Sequence, residues 1–307
     1  MSVAALQSPA TEVSEYAFTG DITIRQPALD GDVTAIGEGA FAGSSVERAV
    51  IPDGVTEIGA FAFADCRSLV SVSIPEGVTI LHEGLFRGCT SLREVTLPTT
   101  LTAIEAEVFA ATAIERIDLS RCISLRTLGD RCFARCKSLH LISLPEGVAR
   151  IGDAALFGCT TIPDIILPES VQHLGDCSLA CLPTITTLRL PTSLGYIGSN
   201  ATEGMNRLSG IDATWLNDIP SLGNDVWYGL PQSDIWLSVA PRLRDTFLSA
   251  PQWREFNISA GTVSTVLPTT ATSEIKNISV YRISEIKIIV TDYTDGSRRV
   301  EKILKTK

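Results

Sequence analysis

Eight cysteines are the residues of this 307-residue chain with the widest range of possible chemistry. Cys132 and Cys136 are four positions apart, and thiolates at short spacing can bind zinc or close a disulfide. A structural zinc site needs a second pair of ligands at metal-like spacing, and the sequence offers none. The sequence therefore predicts no metal site, and it leaves buried free thiols and disulfides as alternatives.

Candidate acids and bases are few. The residues that could take part in acid–base catalysis are three histidines and two acidic pairs, namely His82, His140, His173, Glu105 with Glu107, and Asp234 with Glu255. A catalytic triad needs one histidine in contact with both a nucleophile and an acid, and the spacing of these residues indicates no such meeting. The sequence also lacks the motifs of phosphate-binding loops, zinc proteases and serine hydrolases. We therefore expect no catalytic residues and no cofactor, and we predict that the protein is not an enzyme.

Charge and hydropathy exclude further classes. Lys and Arg number 25 against 35 Asp and Glu, and the resulting net charge of −10 argues against binding to nucleic acid or to an anionic membrane. No apolar run reaches the roughly 18 residues of a membrane helix, so we predict no transmembrane segment. Residues 1–6 lack the basic head and apolar stretch of a signal peptide. This favours the cytosol only weakly, because an exported chain without its signal would begin in the same way.

A repeat of 23 residues, with small variations in length, supplies the elements that would position these side chains. Its mark is an apolar triplet that ends in Ile or Leu, usually before Pro, and the triplet ends are Ile51, Ile74, Leu97, Leu119, Leu144, Leu167 and Leu190. An eighth copy ends at Ala213. A second apolar stretch that ends in Gly follows each triplet, as in residues 55–59. A short turn then carries Phe63, Phe86, Phe109, Phe133 and Phe157.

Repeats of this kind fold by stacking. One unit cannot bury its own apolar face, but stacked units share a continuous core. In the triplet, alternate residues point inward and their neighbours face solvent, and Pro ends the strand because it has no backbone N–H. The Gly is expected to allow a positive φ. The predicted fold is a β-rich solenoid of about eight coils with a parallel sheet on one face, short helical or irregular segments on the other, and caps at both ends.

The repeat also explains the cysteines. Four of them lie three residues before the Leu or Ile that opens the next strand, and these are Cys66, Cys89, Cys136 and Cys159. Met205 lies at the same position of its coil, and Cys181 is one residue away from it. Cys132 and Cys177 each lie four residues before another cysteine, where other coils have Ala62, Leu85 and Ala155. Positions that accept Ala, Leu or Met indicate small buried hydrophobes. Parallel Cβ directions also suit a disulfide poorly, so we favour free thiols.

The segment from Ile51 to Pro75 reads IPDGVTEIGAFAFADCRSLVSVSIP. It resembles the BspA-like class of leucine-rich repeats, a family of bacterial secreted and cell-surface proteins, and the resemblance extends over about residues 33–257. The pattern departs from the consensus at residues 111–124 and decays after Ala201. The resemblance implies a leucine-rich-repeat solenoid, a secreted or cell-surface location, and adhesion to a partner.

We expect four segments. They are an N-terminal cap over residues 1–32, with a strand from Tyr16 to Ile24, the solenoid over 33–258, a linker over 259–274 and a small β tail over 275–307. The C-terminal cap of the solenoid begins at about residue 214 and includes Trp227, Trp236, Trp253 and Phe256 as a lid. The tail has strand-like segments at residues 275–290 and 298–304 with a turn at Asp295–Gly296 between them, and it is similar to part of the sorting domains of type IX secretion substrates. An annex docked on the solenoid is the alternative.

The outward positions of the sheet strands form the candidate binding surface. We call them the first column, which holds Arg48, Ser71, Glu94, Arg116, Leu141, Asp164 and Thr187, and the second column, which holds Val50, Ser73, Thr96, Asp118, Ser143, Ile166 and Arg189. Both columns vary from coil to coil while the inward positions stay aliphatic. Such variation suits an extended recognition surface, although ordinary solvated strands would look the same. The columns contain no aromatic residue, which argues against stacking of sugars.

These observations lead to three hypotheses about function. The first is a non-enzymatic, monomeric protein at the cell surface or secreted, which binds a protein or extracellular-matrix partner through the sheet face. The second is an accessory protein that captures carbohydrate, which would require surface tryptophans between residues 215 and 253. The third is a structural spacer without a ligand.

Overall fold

The computed structural model describes residues 11–29 and 31–260, and the backbone of the strands at 275–283, 286–293 and 298–304. The chain separates into two compact units, Met1–Gly261 and Thr262–Lys307. Residues 261–274 of the predicted linker lie outside the described residues. Ser259 and Ala260, which we also assigned to the linker, belong instead to the last strand of the first unit.

The first unit is a parallel-sheet solenoid of about 11 turns, spaced about 23 residues apart along the sequence. The predicted fold is confirmed, but we expected about eight coils. The additional turns lie at the ends, where Glu12–Val13 pairs with Ala35–Ile36 and further strands follow Ala213. Residues 16–24 form turns and bends rather than the expected strand. They continue the turn of the repeat, since the N–H of Phe18 donates to the carbonyl of Ala40 as that of Phe41 does to Ala62.

Each turn can contribute one strand to each of two parallel ladders. We call the ladder of three- and four-residue strands the front ladder, and its strands are Arg48–Val50, Ser71–Ser73, Glu94–Thr96, Arg116–Asp118, Leu141–Ser143, Thr187–Arg189, Gly210–Ala213, Trp236–Val239 and Asn257–Ala260. The back ladder consists of the two-residue strands Glu12–Val13, Ala35–Ile36, Glu57–Ile58, Ile80–Leu81, Ala103–Ile104, Thr127–Leu128, Arg150–Ile151, His173–Leu174, Tyr196–Ile197 and Ser221–Leu222. Equivalent residues of successive coils pair in register, as Arg48 does with Ser71.

The front ladder is interrupted at residues 164–166, which form no strand. In five other coils the residue before the front strand donates its N–H to the preceding coil, as Val70 does to the carbonyl of Glu47 at 2.9 Å. Pro163 occupies this position and has no N–H to donate. The N–H of Ile165 is also taken by the Asp164 carboxylate, at 2.8 Å. Pairing in the front ladder also stops between Glu94–Thr96 and Arg116–Asp118.

A column of stacked phenylalanines fills the centre of the first coils. The rings of adjacent coils are 5.2 to 5.8 Å apart, and the column consists of Phe18, Phe41, Phe63, Phe86, Phe109 and Phe133. Phe157, which the sequence pattern places in the same turn as these residues, does not continue the column. Leu156 takes the buried position instead, and Phe157 is half-buried. The backbone N–H of Leu156 donates to the coil that follows, as the N–H of Phe133 does, so Leu156 is the equivalent residue of its coil.

The glycine after each back strand is needed because successive coils approach closely at this point. A Cβ on Gly59 would lie 2.5 Å from the backbone nitrogen of Glu38, and one on Gly129 would lie 2.4 Å from the carbonyl carbon of Glu105. Neither glycine has a positive φ, so the explanation we expected from the sequence was wrong. His82 and Glu105 replace this glycine in two coils. The back ladder is interrupted between Glu57–Ile58 and Ile80–Leu81, the strand that comes directly before His82.

The last coils contain the little helix of the first unit. Short 3-10 helices span Gln232–Asp234 and Pro241–Leu243, and one α-helix spans Arg244–Ser249. Aromatic side chains pack edge-on beneath them, with ring centroids of Trp253 and Phe247 5.1 Å apart. Trp227, Trp253 and Phe256 are buried there as the predicted lid requires, whereas Trp236 is exposed.

The second unit contains an antiparallel sheet of three strands, Ile275–Ile283, Ile286–Tyr293 and Arg298–Leu304. We expected strand-like segments over residues 275–290 and 298–304. The first of these segments consists of two strands that pair with each other in antiparallel fashion. The pairing begins with Ile283 and Ile286 and continues away from them along both strands. The predicted Asp295–Gly296 turn lies outside the described residues.

Candidate binding face

The structure places all fourteen residues of the two columns on the outward side of the front coils. Twelve are exposed, and Ser71 and Ser143 are half-buried. The residue between the two columns points into the core in each coil, as Val72 and Ile117 do. This alternation follows from the two-residue period of a strand, and it leaves the fourteen side chains without a role in core packing.

Charges of both signs lie along the front face and in the positions just before its strands. Glu47 pairs with Arg25 at 3.2 Å, Glu115 with Arg93 at 3.7 Å, and Arg189 with Glu169. The Nε–H of Arg116 donates to Nε2 of His140 at 3.4 Å. Exposed ion pairs of this kind add little stability. Their effect is a patterned surface potential, which favours partner selectivity over tight non-specific binding.

Asp118 is held in a defined orientation on this face. Its carboxylate accepts the backbone N–H of Ser120 at 3.0 Å. Hydrogen bonds from the Ser120 side chain and backbone hold the pKa of Asp118 below its usual value. Asp118 therefore carries a fixed negative charge beside Arg116 of the same strand.

Three apolar side chains interrupt the polar surface of the columns. Val50 is 66% exposed, Leu141 47% and Ile166 78%. Ile166 lies where the front ladder is interrupted at residues 164–166. Single exposed aliphatic residues on a polar strand face are possible anchors for a partner, because burying each would remove apolar surface from water.

The two columns continue beyond the residues that sequence analysis identified. Gly210, Trp236 and Asn257 extend the first column and Asp212 extends the second, whereas Ser238, the next residue in register with Asp212, is buried. Sequence analysis did not place Trp236 on this face because it assigned Trp236 to the lid, together with Trp227 and Trp253. The alternation in residues 235–239, with Ile235, Leu237 and Val239 buried, was the available signal.

The candidate acids and bases form separate pairs. His82 Nδ1 lies 3.2 Å from Glu105 Oε2, whereas Glu107 pairs with Arg87 at 3.1 Å and Glu255 with Arg254 at 3.1 Å. His173 stacks on Tyr196 with ring centroids 4.7 Å apart, and burial lowers its pKa. In the part of the chain that the structure describes, no group of three His, Cys, Asp or Glu residues could hold a metal ion.

All eight cysteines are free thiols. Six are buried, and four of them donate to the carbonyl of the phenylalanine one coil earlier, as Cys66 does to Phe41 at 3.0 Å. Cys177 and Cys181 are only half-buried. Cys177 does not occupy the slot we assigned to it. It lies at a left-handed turn position that Phe61 occupies in an earlier coil.

No helix among the described residues is long and apolar enough to cross a membrane. A family model described as "BspA type Leucine rich repeat region (6 copies)" matches residues 11–140 and 126–230, which together are more than half of the chain. The search of the curated proteins found no match.

Similar solved structures include proteins described as leucine-rich repeat proteins. The pneumococcal vaccine antigen PcpA is 16% identical with a TM-score of 0.52, over 82% of this chain and 77% of that chain. A leucine-rich repeat protein from Bacteroides ovatus is 21% identical with a TM-score of 0.48, over 82% and 75%. A leucine rich cell surface protein from Faecalibacterium prausnitzii is 21% identical with a TM-score of 0.33, over 73% and 85%. At these identities the similarity to PcpA supports the fold alone.

Proposed function

Because this chain belongs to the BspA-type leucine-rich repeat family, we propose that it is a non-enzymatic binding protein that acts at the cell surface or after secretion. Its partner is a protein or an extracellular-matrix component, and its contact surface is formed by the two columns of the front face. The protein works as a monomer that presents this surface on a rigid stack of coils.

One observation supports this proposal most directly. The inward residue of each front strand is aliphatic, whereas the outward residues on either side include Arg, Asp, Glu, Ser, Thr, Leu and Ile. A coil tolerates any soluble side chain at an outward position, since such a side chain packs against nothing in the core. The front face can therefore change its specificity without changing its fold.

The chemistry of the face suits a protein surface better than a small molecule. Charges of both signs extend over several coils, and the exposed apolar residues Val50, Leu141 and Ile166 lie among them. Protein interfaces typically combine a few buried anchors with a polar rim. We expect Leu141 and Ile166 to be anchors and Arg116, Asp118 and Asp164 to select the partner by charge.

A charge reversal on the face tests the proposal. The variant Arg116→Glu, Asp118→Lys, Asp164→Lys raises the net charge by the same amount as the control Glu12→Lys, Glu57→Lys, Arg150→Glu, whose residues lie at the start of back strands. We expect the full chain to retain partners from a panel of immobilised extracellular-matrix and cell-surface proteins, and the front variant to lose at least about tenfold in affinity. Unchanged binding by the front variant, or equal loss in the control, would place the contact surface elsewhere.

A further inference from the structure

The front face changes its character in the last coils, beyond the fourteen positions discussed above. Trp236 begins the strand Trp236–Val239 and lies in the first column, in register with Gly210 on one side and Asn257 on the other. Its side chain is 56% exposed, although Trp227 and Trp253 of the same region are buried. An exposed tryptophan on a sheet face keeps a large apolar side chain in contact with water, which is unfavourable, and it does not contribute to the core of the fold.

Gly210 leaves open space beside this tryptophan. A Cβ built on Gly210 would meet only Cγ2 of Thr187, at 3.8 Å, and the carbonyl oxygen of Trp236, at 3.9 Å. Both distances are ordinary contacts, so the glycine is not required by a close approach of the backbone, and its φ is not in the left-handed region. We call the space over Gly210, between Thr187 and Trp236, the Trp236 notch.

The notch has a polar rim. Asp212, the neighbour of Gly210 in the second column, accepts the N–H and the hydroxyl of Thr214 at 3.0 and 2.5 Å. Both bonds use Oδ1, and within the described residues no hydrogen bond is made to Oδ2. The exposed Asn257 amide lies on the other side of Trp236. These groups offer acceptors and donors in fixed positions next to an aromatic surface.

We propose that the Trp236 notch binds a sugar ring of a neutral oligosaccharide. A pyranose has an apolar face of C–H groups, which can lie on Trp236, and a rim of hydroxyl groups, which can donate to Asp212 and exchange hydrogen bonds with Asn257 and Thr187. The Asp212 carboxylate on the rim disfavours a sulfated or acidic sugar, and Arg189 of the second column is already paired with Glu169.

A protein contact fits the notch less well. Tryptophans that anchor protein interfaces are surrounded by residues that exclude water. The exposed and half-buried neighbours of Trp236 along both columns are instead polar or glycine, namely Thr187, Gly210, Asp212 and Asn257. The sugar site therefore goes beyond the proposed partner binding and does not depend on it.

Two variants test the notch from opposite sides. Trp236→Ala removes the stacking surface, whereas Gly210→Val fills the notch while the tryptophan stays in place. Valine suits a strand, and the space around Gly210 accommodates its Cβ. Tyr228→Ala is the control, because it removes an exposed aromatic side chain, 59% exposed, from a turn outside the front strands.

The full chain is applied to an array of neutral oligosaccharides built from glucose, mannose, galactose, xylose or N-acetylglucosamine, and each hit is titrated by isothermal titration calorimetry, whose signal does not depend on Trp236. We expect at least one oligosaccharide to bind, each notch variant to lose about tenfold or more, and Tyr228→Ala to bind as the parent does. The charge-reversed front variant should also bind as the parent does, which separates this site from the proposed protein contact.

Three results would overturn the sugar site. They are no binding to any neutral oligosaccharide, binding that survives both notch variants, and binding restricted to anionic glycans. A peptide from a displayed library that needs both Trp236 and an open Gly210, without any saccharide binding, would show that the notch takes protein instead.

Discussion

Single cysteines differ in how far solvent and base can reach them. Cys132 is buried and burial raises its pKa, whereas Cys177 and Cys181 are half-buried at left-handed turn positions, with φ of 52° and 60°. We expect iodoacetamide to modify only Cys177 and Cys181 in the native chain. Burial raises the pKa of both thiols, so their rate should keep rising above the ordinary cysteine pKa of about 8.5. Peptide mass spectrometry across a pH series measures this.

The denatured chain provides the control for this experiment. All eight thiols should react in denaturant without a reductant, because all eight are free. Fewer than eight modified residues would reveal a disulfide, and rapid native labelling of Cys66 or Cys132 would contradict their burial.

The errors at Cys177 and Phe157 share one cause, which is register. The buried positions of four cysteines could be predicted because these cysteines lie at a constant distance from the next front strand, namely Cys66, Cys89, Cys136 and Cys159. Cys181 is one residue out of that register, and the same offset applies to Cys177, whose position we nevertheless misassigned. Phe157 lies two residues before Cys159 instead of three, so Leu156 fills the phenylalanine position. Spacing alone shows that a coil shifts, but the hydrogen bonds between coils show where.

The interruption of the front ladder at residues 164–166 is an effect of one proline on an element. We expect Pro163→Thr to restore the missing N–H donor, since Thr186 occupies the equivalent position in the next coil. The variant should form a strand over residues 164–166 and gain about 1 kcal/mol of stability, the usual contribution of one backbone hydrogen bond. Amide hydrogen exchange at residues 163–166 and the urea midpoint report the two effects.

Pro145→Ser is the matched control for this element. Pro145 follows a front strand, and the repeat already contains Ser120 at the equivalent position. Removing this proline should leave exchange at residues 163–166 unchanged. If Pro163→Thr also leaves it unchanged, the Asp164 side chain, which holds the Ile165 N–H, is the main cause of the interruption.

The strands at the centre of the solenoid could be predicted from the sequence, whereas those at its ends could not. The outward and inward positions of each front strand could be assigned because alternation and a constant spacing act together. Near the C-terminus, Ile211 and Leu237 are paired although they are 26 residues apart, and most of the extra length precedes the back strand, since Tyr196 pairs with Ser221 at a spacing of 25. The expected 23-residue spacing therefore stopped at Ala213 and missed Trp236 as a surface residue.

At the scale of the first unit, stability depends on contacts between neighbouring coils and on closure of the two ends. Each coil packs only on its neighbours, so damage at one end should remain local. Trp253 is fully buried against Trp227, Phe247 and Phe256 in the last coils. We expect Trp253→Ala to cost about 3–5 kcal/mol, because it leaves a large cavity beneath the terminal helix.

Hydrogen exchange can separate a local loss from a global one. In Trp253→Ala the strands Trp236–Val239 and Asn257–Ala260 should lose protection first, while Ser71–Ser73 and Glu94–Thr96 keep theirs. Trp236→Ala is the control, because an exposed side chain contributes about 0.5 kcal/mol or less to stability. Uniform loss of protection along all coils would mean that the solenoid unfolds as one cooperative block. In that case the terminal aromatic cluster would stabilise the whole stack, and sequence changes on the front face would not be energetically independent of the ends.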